Sequence, residues 1–114
     1  MKPALLVGLG GVAGALARHL LGERVETGTR DTLAVNVLGS FLLGALVAVP
    51  VGDDLLLLVG TGFCGAFTTF STFAYETVRL AESGRARRAV LNATVNLLGA
   101  LVAVWMGALA AGAL

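Results

Sequence analysis

Residues 62–73, GFCGAFTTFSTF, gather many of the side chains in this chain that can do chemistry. Glycine followed by β-branched hydroxyl residues makes a poor helix interior, because glycine is flexible and the hydroxyls compete for backbone hydrogen bonds. A break between Gly65 and Thr68 would free carbonyl oxygens, hard ligands that suit a small hard cation. The plainer alternative is an unbroken helix whose hydroxyls bond back to the preceding turn. Phe63, Phe67, Phe70 and Phe73 recur at i, i+4, i+7 and i+10, which places them along one face of a continuous helix. Such a stripe commonly serves packing or lipid contact. Its ring edges are also the positive end of the aromatic quadrupole, so edges turned inward can touch a small anion without trapping it as a fixed cation would.

Asn36 lies in a second apolar run, and Asn92 and Asn96 sit one turn apart in a fourth. Amide N–H groups are donors, and in hydrocarbon they must face the protein interior or a wet path. An interhelical hydrogen bond is the simpler use for each. Asn92-Ala93-Thr94 matches a glycosylation sequon, but inside a span it would be unreachable. Acids are scarce: the first, second and fourth apolar runs hold none, and Glu76 closes the third. A proton-coupled exporter needs a buried acid that alternates between proton and substrate, so the pattern argues for a passive pathway.

The elements that must position these groups follow from the charges. Charge-free runs cover residues 3–17, 32–52, 55–75 and 89–114, in a chain of 114 residues that is 57% hydrophobic and 13% charged. A spanning helix needs about 20 apolar residues, a length the first run reaches if Arg18 lies at the interface and the helix continues to Gly22. The expected fold is all-α: one four-helix membrane domain over residues 1–114, with helices at 3–22, 32–51, 55–82 and 87–111. Continuous apolar runs exclude a barrel, whose strands would alternate. A net charge of +1 gives no basis for nucleic-acid binding. Cys64 is the single cysteine, so no intrachain disulfide forms.

Finer signals refine this frame. Lys2, the apolar stretch 4–12 and Ala15-Leu16-Ala17 imitate a signal peptide, but three further spans would keep the product in the membrane. Gly8, Gly10 and Gly14 resemble a dinucleotide-binding turn with the wrong spacing. They suit close helix packing better: Gly10 and Gly14 form a GxxxG pair, and Ser40 with Gly44 repeats the spacing. Asp53 and Asp54 are placed to cap the third helix, and Asp31 or Thr32 the second. One side of the membrane carries Arg24, Arg30, Arg79, Arg85, Arg87 and Arg88 against Lys2 on the other, which puts the arginine loops in the cytoplasm.

GGVAGALARH (residues 10–19), TLAVNVLGSFLLG (32–44), GFCGAFTTFSTF (62–73) and NATVNLLGALVAVWMG (92–107) occur in the order and spacing of the fluoride-channel family known as Fluc or CrcB, which the chain resembles over essentially its whole length. TTFSTF preceded by GxxG is the specific part. The resemblance implies a third helix broken near its midpoint and an inverted dimer that exports fluoride passively from a bacterial or archaeal plasma membrane. It also implies a structural sodium ion held by the carbonyls of Gly65 and Thr68. The implied fluoride pathway comprises Asn36, Phe70, Phe73, Ser71, Thr72, Asn92 and Asn96, with Glu76 at the end of the third helix. Arg18 would face a vestibule or anchor the first helix, and His19 and Trp105 would sit at interfaces. The arginine bias sits poorly with copies inserted both ways, so the partner is a second copy or, as in paired homologues of opposite bias, an oppositely oriented relative. The rival class is a small multidrug exporter of similar size, which requires a glutamate in the first span, where residues 3–17 have none.

Overall fold

The computed structural model describes residues 2–24 and 29–112, and among them the regular structure is entirely helical. Four segments are long and apolar enough to cross a membrane: Pro3–Arg24, Thr29–Val47, Asp53–Glu82 and Ala86–Gly112. We label Pro3–Arg24 α1, Thr29–Val47 α2, residues 53–67 α3, Phe70–Glu82 α4 and Ala86–Gly112 α5. At 1.5 Å per residue α1 is about 33 Å long, enough for a hydrocarbon layer of about 30 Å.

The helices pack as two pairs, α1 along α3 and α2 along α5. Glycine makes both pairings possible. A Cβ at Gly10 would strike the Leu58 carbonyl, one at Gly14 the Phe63 carbonyl, and one at Gly62 the Val7 carbonyl, so α1 and α3 touch backbone to backbone. Gly44 lies in the same way against Val104, and Gly107 against Phe41. The GxxxG pair of α1 therefore meets α3, and Gly44 meets α5. From Gly10 against Leu58 to Gly14 against Phe63, and from Gly99 against Leu33 and Val37 to Gly107 against Phe41 and Ala45, the contacts advance in the same direction along both partners, so each pair is parallel, and the connections make the two pairs antiparallel to one another.

Helix ends differ from expectation for local reasons. Asp53 and Asp54 lie in the first turn of α3 and do not cap it; Gly52 holds the cap position without a side-chain bond. α2 begins at Thr29, so Asp31 and Thr32 also fall inside a first turn. It stops at Val47, short of Pro50, whose ring disfavours a helical residue before it. Gly84, at φ 79°, turns the chain between α4 and α5, and the Arg85 N–H donates back to the Leu80 carbonyl at 2.9 Å.

The third span is bent at a break. Over Leu56–Cys64 the winding widens to the π form, and the helix ends at Phe67. Thr68 (φ −85°, ψ 166°) and Thr69 (φ −149°, ψ 119°) are extended, after which α4 begins at Phe70. The break falls at Thr68–Thr69, at the C-terminal edge of the glycine-to-threonine stretch expected to give way. It also divides the phenylalanine stripe, which is a correction to the single face expected of a continuous helix. Phe63 and Phe67 stack at 5.5 Å on α3, while Phe70 and Phe73 form a separate tilted pair at 5.9 Å on α4.

Candidate ion pathway at the helix break

Two extended residues within a span leave peptide groups without helical partners, and in hydrocarbon those groups must find others. Asn36 of α2 supplies them. Its Nδ2 donates to the Thr69 carbonyl at 3.0 Å, and its Oδ1 accepts from the Thr69 N–H at 2.8 Å. One amide thus clamps both polar groups of one peptide residue. Thr69 in turn caps α4, its Oγ1 accepting from the Thr72 N–H at 3.1 Å. On the other side of the break the Thr68 hydroxyl donates to the Cys64 carbonyl at 2.8 Å.

These diversions bear on the carbonyls. In an unbroken α-helix the Thr69 N–H would go to the Gly65 carbonyl and the Thr72 N–H to the Thr68 carbonyl. Here side chains take both donors. Gly65 and Thr68, the positions expected to hold a cation, are thereby released from the α-helical ladder at their carbonyl oxygens.

The break opens on a groove of about 460 Å³ whose lining includes Asn36, Ser40, Thr61, Gly65, Thr68, Thr69, Phe70, Phe73 and Asn96. Six of the expected site residues, Asn36, Gly65, Thr68, Phe70, Phe73 and Asn96, therefore share one surface. Phe70 is 78% exposed, an aromatic ring standing away from the rest of the chain. A Cβ on Gly65 would meet nothing within 4 Å, so that face of α3 is open.

The remaining candidates lie around the groove. Arg18 is partly buried and donates to the Thr72 Oγ1 at 3.2 Å, which ties α1 to the first turn of α4. A hydroxyl that accepts from a guanidinium keeps its own O–H to donate elsewhere. Arg18 also lines a second cavity with His19, Glu23 and Asp31. His19 pairs with Glu23 at 2.9 Å on the exposed face of α1, and Trp105 is exposed on α5. Ser71 is exposed, its Oγ 3.4 Å from the Thr69 Oγ1.

Asn92 lines a different cavity, between the first turns of α2 and α5, and donates to the Thr77 hydroxyl at 3.0 Å; Thr77 donates on to the Phe73 carbonyl at 2.8 Å. Asn96 turns its Nδ2 to the Asn92 carbonyl and Oδ1, at 2.9 and 3.2 Å, and its own buried Oδ1 has no hydrogen-bond partner among the described residues. Glu76 lines a fourth cavity with Tyr75, Arg79 and Arg85, away from the groove, with Oε1 buried and without a hydrogen-bond partner among the described residues. Sequence reasoning missed the structural part of Thr69 and the groove positions Ser40 and Thr61. The Thr69 cap was legible only once the break had been placed, since a cap requires a helix start.

A groove of donors at a helix break is a constellation that relatives can be asked to share. The family model described as CrcB-like protein, Camphor Resistance (CrcB), matches residues 5–108. The chain belongs to the CrcB-like family. Similar CrcB-like proteins include the fluoride-specific ion channel FluC 2 of Moorella thermoacetica, 50% identical over 96% of this chain and 97% of its own length. FluC 2 of Haloarcula marismortui is 52% identical over 91% and 89%, and FluC of Methanocaldococcus jannaschii 43% identical over 94% and 92%. These relatives are named as channels and not as enzymes. With four spanning helices, this CrcB-like chain is a multi-pass membrane protein.

Proposed function

We propose that the chain is one subunit of a fluoride-selective passive channel. Relatives of 43–52% identity that align along nearly the whole chain carry that name. The observation that carries the reading is the Asn36 clamp, which holds a span open at Thr69 and gathers amide, hydroxyl and ring-edge donors along one groove.

Fluoride is small and strongly hydrated, so its passage requires close-set donors in place of water. The second Nδ2 hydrogen of Asn36, the Thr69 hydroxyl, the Thr72 hydroxyl polarised by Arg18 and the edges of Phe70 and Phe73 are donors of that kind. Asn96 donates its amide to Asn92 and Asn92 donates its own to Thr77, so their share in the pathway begins with a rotation of the Asn96 amide toward the groove. No carboxylate lines the groove. A passive anion path with a cytoplasm-negative potential moves fluoride outward, so the function is export from a bacterial or archaeal cell across its plasma membrane.

The polar groups of the groove, among them Asn36, Ser40 and Thr61, cannot face lipid tails at little cost. A partner must cover them, and an inverted copy or an oppositely oriented homologue does so while completing the pathway. The arginine bias favours the homologue. The released carbonyls of Gly65 and Thr68 suit a sodium ion: they are hard, uncharged oxygens, two from each of two subunits. Bound there, sodium supplies fixed positive charge that joins the subunits without being transported.

Fluoride efflux from liposomes containing the purified protein tests the proposal, with and without an oppositely oriented relative and with sodium replaced by a larger cation. Efflux that needs no proton gradient and fails without sodium is expected. No efflux with any partner, or efflux only under a proton gradient, overturns it.

A further inference from the structure

The cavity between the first turns of α2 and α5 is amphipathic in one direction. Arg30 and Arg88, with the Thr29 hydroxyl, stand at its head, and Leu33, Leu91 and Val95 run down its wall. Its volume is about 320 Å³. α2 and α5 are parallel, so α5 starts at this same end. The N–H groups of its first turn have no acceptor within the helix, and the positive end of its dipole adds to the arginines. Residues 79–88 carry four arginines against Glu82. The head lies on the side where the arginine loops meet the membrane, and the wall points along the spans.

We propose that this cavity holds the headgroup of an anionic phospholipid, such as phosphatidylglycerol, with an acyl chain laid along Leu33, Leu91 and Val95. Two features commit it to a lipid and not to free phosphate. The head is cationic where anionic headgroups concentrate, and the wall below it carries Leu91 and Val95 over two further turns of α5. A planar guanidinium matches two phosphate oxygens at once, which a diffuse basic edge does not provide. The site also touches the pathway chemistry: Asn92, between Leu91 and Val95 on the cavity wall, accepts from Asn96 in the groove wall.

The test exploits neighbours of equal charge. Arg88 lines the cavity and Arg87, one residue before it on α5, does not. Purified protein in vesicles of equimolar phosphatidylglycerol and phosphatidylcholine is extracted gently, and the retained lipid is measured by native mass spectrometry. The wild type is expected to retain phosphatidylglycerol preferentially. Arg88→Gln is expected to lose about fivefold of that preference, and Arg87→Gln to keep it. Glycerol phosphate without acyl chains should compete weakly. Equal losses in the two variants would reduce the site to a generic basic edge. No preference in the wild type, or full displacement by glycerol phosphate, would overturn the proposal.

Discussion

Replacing Asn36 with leucine removes both halves of the clamp at Thr69. Two backbone groups, the N–H bonded at 2.8 Å and the carbonyl bonded at 3.0 Å, then lose their partners within a span. An orphaned buried polar group costs about 1–3 kcal/mol, so the two together cost about 2–6 kcal/mol before relaxation. Relaxation has an obvious route: the freed Thr69 N–H returns to the Gly65 carbonyl four residues back, closing one helical bond. That leaves only the Thr69 carbonyl orphaned, for an expected loss of about 1–3 kcal/mol, and it takes away one of the two carbonyls proposed for sodium. If Asn36 were instead an ordinary interhelical contact, the loss would average about 0.6 kcal/mol. Stability and sodium-dependent flux together separate the two cases. Unfolding by denaturant in mild detergent measures stability, and fluoride efflux measured over a range of sodium concentrations reports on the carbonyl. Asn36→Leu should lose about 1–3 kcal/mol and most of its sodium-dependent flux. Asn36→Asp, whose carboxylate still accepts from the Thr69 N–H but cannot donate while ionised, should fall between. A leucine variant within 0.6 kcal/mol of wild type would refute the clamp.

Other consequences follow from the same geometry. Gly10→Val and Gly44→Leu force side chains into the carbonyls of Leu58 and Val104 and should destabilise each subunit by about 3 kcal/mol or more, read as loss of a monodisperse peak in size-exclusion chromatography. Gly65→Ala meets nothing within 4 Å in its own chain, so it should leave the unfolding of that chain unchanged while weakening association of the proposed dimer in a dilution series. Phe70→Ala removes a ring that is 78% exposed, and it should change subunit stability by under about 1 kcal/mol yet abolish most fluoride efflux. Thr72→Val deletes the hydroxyl that Arg18 holds at 3.2 Å, and it should slow efflux about tenfold with little effect on unfolding; unchanged efflux would remove Thr72 from the pathway.

Much of this arrangement was legible in the residues, and the rest shows why pattern reading stops where it does. The four spans follow from the charge-free runs, because an uncompensated charge in hydrocarbon is costly enough to leave a mark in composition. Gly10, Gly14 and Gly44 announced backbone contact, since glycine in a membrane helix has few other uses. Asn36, Gly65, Thr68, Phe70, Phe73 and Asn96 meet at one groove, yet spacing alone could not say that Asn36 reaches Thr69. That contact joins residues 33 apart in sequence and depends on how α2 lies against the break. The phenylalanine stripe misled for the same reason. Periodicity assumes one helix, and two extended residues at Thr68 and Thr69 cancel the phase between Phe67 and Phe70. Asn92 and Asn96, one turn apart, fitted either a wet path or interhelical hydrogen bonds; the structure gives Asn92 a bond to Thr77 and turns Asn96 toward Asn92 on its own helix, a rotamer choice that no sequence pattern encodes.

The central claim, a passive path selective for fluoride, is tested most directly by the zero-current potential of the reconstituted protein under opposed fluoride and chloride gradients. The account predicts a potential set by the fluoride gradient alone and indifferent to an imposed pH difference. A potential that follows chloride, or that shifts with pH, would contradict it.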